Sequence, residues 1–112
     1  MIKVYQIQLT NEEVEAANYG DGAYTNPKIK AYFDRSFEST FKAENFQYYT
    51  HVANVDVDGF EQAFRAMNLW EEDENSDRVE RLGRCYSMSV GDIIADHDGK
   101  LYRVASFGFT AL

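Results

Sequence analysis

Several short constellations in this chain hold residue types that do chemistry, and spacing tests each of them. Asn54-Val55-Asp56-Val57-Asp58-Gly59 puts oxygen ligands at the first, third and fifth positions of a calcium loop and glycine at the sixth. Such a loop closes on a bidentate glutamate at its twelfth position, and Arg65 stands there instead. An alternating strand running into an Asp58-capped helix accounts for the same residues. Asp96, His97 and Asp98 form a ligand-type trio, but alternation along a strand sends Asp96 and His97 to opposite faces, so a metal would need donors from elsewhere. Gly20-Asp21-Gly22 lacks the third glycine and the preceding strand of a dinucleotide loop. Cys85 is the only cysteine. Neither histidine has a sequence relation that points to it, so it is expected to be a small packed residue in a reduced compartment, the cytoplasm. His51 is expected to be a hydrogen-bonded histidine on a buried strand face. No serine, threonine or cysteine stands in a nucleophile-elbow context, and no carboxylate pair is singled out by spacing. The expectation is a non-enzyme with no catalytic residue, no metal site and no cofactor.

What remains is Trp70 leading directly into Glu71-Glu72-Asp73-Glu74, an aromatic anchor beside a carboxylate cluster. Its natural complement is a protein with a basic surface. The charge distribution agrees. The chain carries a formal net charge of −8, with 15 of the 19 acidic but only 6 of the 11 basic residues in positions 1–77. Phosphate binding needs a Lys/Arg stripe, so direct contact with nucleic acid is disfavoured, as is an anionic membrane surface. One alternative is an acidic mimic of nucleic acid that occupies a DNA- or RNA-binding defence protein, although −8 is thin beside one charge per roughly 1.7 Å of duplex. A second is a small enzyme acting on a nucleotide-like ligand, which would require a cleft with convergent polar groups. Tyr19, Tyr24, Tyr48 and Tyr86 fall near element ends, where amphipathic rings give contact area.

The elements that position these groups follow from periodicity and punctuation. Residues 2–9 read as a strand with Tyr5, Ile7 and Leu9 on one face. Thr10 and Glu13 fit a capping box for a helix over 11–18, which Gly20 and Gly22 break. Asn26-Pro27 starts a helix to about Phe37, with Ile29, Tyr32, Phe33, Ser36 and Phe37 as its stripe. Residues 46–57 alternate as a central strand facing inward through Tyr49, His51, Ala53, Val55 and Val57. Asp58 with Glu61 caps a third helix, whose stripe is Phe60, Ala63, Phe64, Met67 and Trp70. Five acids over 71–77 predict an exposed, mobile loop. Asp98-Gly99 between two β-rich runs predicts a two-residue hairpin turn pairing Ile93 with Val104 and Ala95 with Tyr102.

Ser87-Met88-Ser89-Val90-Gly91-Asp92-Ile93-Ile94, a turn, then Leu101-Tyr102-Arg103-Val104-Ala105-Ser106-Phe107-Gly108-Phe109 resembles the closing motif of YodL-like domains. These typically read Ser-Leu/Met-Ser-Val-x-Asp-Val-Val, a short turn, and Tyr-Tyr-Val-Asp-x-Phe-Gly-Phe. Val55 to Asn68 resembles the strand and helix that precede it in small phage proteins. Together the matches cover about half the chain and leave out the first 45 residues. The resemblance implies a small phage or mobile-element protein and carries no motif for catalysis or ligand binding. One hundred and twelve residues make one domain. The expected fold is a single α+β domain over 1–112, with an antiparallel or mixed sheet packed against two to three helices and the 91–109 hairpin near its C-terminal edge. The expected function is non-catalytic binding of a host- or element-encoded protein.

Overall fold

The computed structural model describes residues 1–69 and 72–112. Its frame is a six-stranded antiparallel sheet made of β1 (Ile2–Gln6), β2 (Thr50–Val55), β3 (Val79–Arg81), β4 (Ile93–Ala95), β5 (Leu101–Val104) and β6 (Phe109–Ala111), in the order β3-β2-β1-β4-β5-β6. The helices are α1 (Asn11–Tyr19), the single turn α2 (Gly22–Thr25), α3 (Pro27–Asp34) and α4 (Phe60–Asn68), with 3₁₀ turns at Ala43–Tyr48 and Ser76–Arg78. The chain is thus an α+β domain, as its patterning predicts. The C-terminal strands form a meander in which β5 and β6 pair as a hairpin.

Opposed residues of antiparallel strands share a face, and here Val4, Ala53, Ile94 and Tyr102 lie in register across the sheet centre. With Ile2 and Val55 they meet Ala63, Ala66 and Met67 of α4, forming the main core. Phe60 closes it edge-on to Tyr102 at 4.9 Å and against Phe109 at 5.0 Å. A second cluster of Ile7, Leu9, Ile29 and Ala31 seats α1–α3 beside the end of β1. Strand β1 stops at Gln6, so its core face is Ile2 and Val4, whereas Tyr5 turns to the opposite face and Ile7 and Leu9 reach the second cluster from beyond the strand.

Local capping explains where the first helices begin. Thr10 Oγ1 accepts from the Glu13 amide at 3.1 Å while Glu13 Oε1 accepts from the Thr10 amide at 2.8 Å, and Asn26 Oδ1 accepts from Lys28 and Ile29 ahead of Pro27. For α4 the cap is Gly59 rather than Asp58, and Gln62 rather than Glu61 accepts from the Gly59 amide at 2.9 Å. Helix α3 ends at Asp34, short of the expected Phe37, and both Phe33 within it and Phe37 beyond it are exposed.

Three departures from expectation have physical causes. A bulge in β2 lets Val4 face Ala53 and the next residue, Tyr5, face His51, so Val52 is the extra residue. His51 therefore leaves the core face, stacks tilted against Tyr5 at 5.0 Å and hydrogen-bonds Asn54 Oδ1 at 2.8 Å. The β4–β5 turn closes with Gly99 N–H to Asp96 O and Asp96 N–H to Lys100 O, and Gly99 has a positive φ, 85°. It is a three-residue turn with a glycine bulge, held by Asp96 Oδ1 accepting from Asp98 and Lys100. The register moves by one, pairing Ile93 with Arg103 and Ala95 with Leu101 instead of Val104 and Tyr102. Finally, Phe64 is exposed while Ala66 takes its place in the core.

Candidate functional site

Within the acidic segment, one carboxylate of residues 72–77 is tied back to α4. Trp70 and Glu71 lie outside the described residues. Glu72 and Glu74 are not buried, as predicted for a loop, but Asp73 is. Its Oδ1 accepts from the Asn75 amide at 2.9 Å and its Oδ2 lies 3.6 Å from Arg65 Nε. The turn then continues into the 3₁₀ turn and β3, so this carboxylate organises the segment and is no free contact group.

Arg65 connects that turn to a groove of about 330 Å³ between α4 and the β5–β6 hairpin, lined by Glu61, Phe64, Arg65, Val104, Ser106 and Phe109 among others. The groove is bordered by Ser106 and Gly108 of a tight turn, closed by Ala105 N–H to Gly108 O, that holds Phe107 98% exposed outside the groove's own lining. Phe64 and Leu69 are also open to solvent on α4 and its cap. The groove thus carries the Glu61 carboxylate in its lining, and Arg65 links it to the turn that bears Glu72 and Glu74. Sequence periodicity assigns Phe64 to the core and gives Phe107 no role. The signal for Phe107 is its place between Ser106 and Gly108, where a turn leaves a large side chain no neighbours.

A second convergence surrounds Asp92. Its Oδ2 accepts from the Ser89 amide at 2.9 Å and from Gln6 Nε2 at 3.0 Å, while Gln6 also bonds the backbone of Tyr86 in both directions. These bonds tie β1 to the segment before β4. Beside Asp92 lies a cleft of about 170 Å³ lined also by Tyr32, Arg35, Arg84, Tyr86 and Ser87. Arg84 donates to the Tyr86 hydroxyl, and the Arg35 guanidinium sits 3.9 Å from the Tyr32 ring centroid. Burial pushes the Asp92 carboxyl up to about 6, against the opposing pull of the Ser89 and Gln6 hydrogen bonds and the Arg35 charge. Burial together with the Asp92 charge also raises the Tyr49 hydroxyl, which donates to Gly91 O at 2.5 Å.

Gly91 itself is fixed by close approach. It has φ 93°, and a Cβ there would collide with the carbonyl of Arg35. That carbonyl also accepts from Arg103 Nη2 at 3.0 Å, so the loop after α3, the turn before β4 and strand β5 meet at one backbone atom.

The other sequence candidates have structural surroundings. Asn54 to Gly59 is strand β2 running into the cap of α4, and Asn54 donates to Glu80 at 2.8 Å. His97 lies between the N-terminal amine at 3.0 Å and Asp58 O at 3.2 Å. Cys85 is half-buried against the main core. Among the described residues no three His, Cys, Asp or Glu side chains gather as a metal site, and no helix is long and apolar enough to cross a membrane. Comparison with protein-family models, characterised proteins and solved structures finds no match to the chain.

Proposed function

We propose that the protein is a non-catalytic binding module of the phage or mobile-element type, acting in the host cytoplasm, and that it docks a protein partner over the groove between α4 and the β5–β6 hairpin. The observation that carries this reading is Phe107, presented at 98% exposure on the closed turn whose Ser106 and Gly108 border the groove. A large ring standing almost wholly in water has a large apolar area to lose when a partner covers it, which is the character of an interface anchor. The carboxylates of Glu61, Glu72 and Glu74 and the net charge of −8 favour a basic partner surface. The origin rests on the resemblance of residues 87–109 to YodL-like domains.

Affinity capture from a host lysate treated with nuclease tests the proposal. The natural chain retains a protein that Phe107→Ala loses and that Glu72→Gln/Glu74→Gln binds more weakly, with association slowed between about 50 and 500 mM salt as screening shortens. Equal retention by all three chains removes this groove as the docking surface. Retention that disappears with nuclease favours the nucleic-acid route instead.

A further inference from the structure

On the opposite face of the same hairpin lies a pocket of about 290 Å³ between the Ser36-Phe37-Glu38 segment and β5–β6, lined also by Arg103, Ser106, Phe107 and Thr110. Arg103 is 4% exposed, yet among the described residues it makes no ion pair with any carboxylate. Its side chain donates from Nη2 to Arg35 O. Nε is buried with no partner among the described residues, and the guanidinium carbon stands 5.1 Å from the Phe41 ring centroid. A buried guanidinium held by a neutral acceptor is an expensive arrangement, because desolvation is unmatched by an opposite charge. Buried donors left without partners are rare enough in folded proteins to require a specific reason.

We propose that this pocket binds a monocarboxylate carried on an apolar body, with its charge set against Arg103 and its apolar part between Phe37 and Phe107. The hydroxyls of Ser36, Ser106 and Thr110 supply further donors at the wall. The volume exceeds the ~150 Å³ that takes a benzene ring, which leaves room for a ring and a carboxylate arm. One guanidinium balances one negative charge. Glu38 at the exposed rim and the net charge of −8 both act against a second, so a carboxylate is selected over a phosphate dianion. A free organic acid and the C-terminal carboxylate of a peptide present the same chemistry.

Amide-proton NMR titration of the intact chain distinguishes these cases, using phenylacetate, phenylacetamide, phenyl phosphate and an N-acetylated dipeptide ending in phenylalanine with either a free or an amidated C-terminus. Both carboxylates are expected to shift residues 36–38 and 103–110, with phenylacetamide and the amidated peptide at least about tenfold weaker, the scale of a charge-assisted hydrogen bond. The peptide exceeding phenylacetate identifies a chain terminus as the source, and the reverse order a free acid. Phe37→Ala weakens binding severalfold, whereas Phe64→Ala in the other groove leaves it unchanged, so failure here is separable from failure of the protein-docking reading. Arg103→Met abolishes the preference for carboxylate over amide; should that chain not fold, Phe37→Ala and the acid–amide comparison decide. Equal binding of acid and amide, absence of binding by both carboxylates, or tighter binding of phenyl phosphate overturns the proposal.

Discussion

Replacing Asp92 by asparagine isolates the energetic effect of a buried charge from that of its hydrogen bonds. Both protein donors to Asp92 converge on Oδ2, so an amide side chain with its carbonyl oxygen in that place keeps both bonds and puts its NH₂ where Oδ1 was. The substitution removes the titration, and its buried NH₂ adds an offset that does not vary with pH. In the folded chain the carboxyl is raised from 3.8 to about 6. Between those pH values the native state retains a proton that the unfolded chain has released, so stability falls as pH rises through the window. At about 1.4 kcal/mol per unit, the full effect is on the order of 3 kcal/mol by pH 7 and vanishes below the unfolded value. A chain of this length unfolds with an entropy of about 0.24 kcal/mol/K, so each kcal/mol moves the melting temperature by about 4 °C. Thermal denaturation of both chains from about pH 3.5 to 7.5 should therefore show the Asp92→Asn chain gaining about 10 °C on the natural protein between the acid end and neutral pH. A gap that is constant with pH, or that widens toward acid, refutes the assignment of a destabilising charge to this site.

Gly91→Ala should lower stability by about 3 kcal/mol or more, since a strained positive φ adds to a backbone collision with Arg35; chemical denaturation reads this directly. Met67→Ala, at a position 1% exposed, should cost about 2–5 kcal/mol, while Phe64→Ala costs under about 1 kcal/mol, and comparable losses would place Phe64 in the core. Asp73→Asn should weaken the turn after α4 by about 1 kcal/mol through the loss of charge toward Arg65, the usual scale for an ion pair open to solvent on one side, and faster amide exchange at Asn75 would report it.

What was legible in the sequence was local. The Thr10–Glu13 box and the Asn26-Pro27 start each involve groups within three residues, and the structure realises both. The α4 stripe was half legible: Phe60, Ala63 and Met67 fall on the inward face, but 3.6-residue spacing admits either Phe64 or Ala66 next, and the close packing over β1 and β2 selects the alanine. Register was not legible. A bulge at Val52 and a three-residue turn at 97–99 each move a strand by one position, and tertiary pairing decides both. The three-residue strands β3 and β6 are too short to show alternation. The site was legible only as a charge pattern. Arg103 sits in an otherwise uncharged strand, and its pairing with Ile93 becomes visible only once the register is known.

In our proposal a protein partner covers both Phe107 and the acidic turn after α4. A photo-reactive phenylalanine placed at position 107, at 74, and at Tyr24, which is 92% exposed on α2, maps that directly in host lysate. A nuclease-resistant protein adduct is expected from positions 107 and 74, reduced at about 500 mM salt, and none from position 24. An adduct from position 24 as strong as from 107, or none from 107, contradicts it.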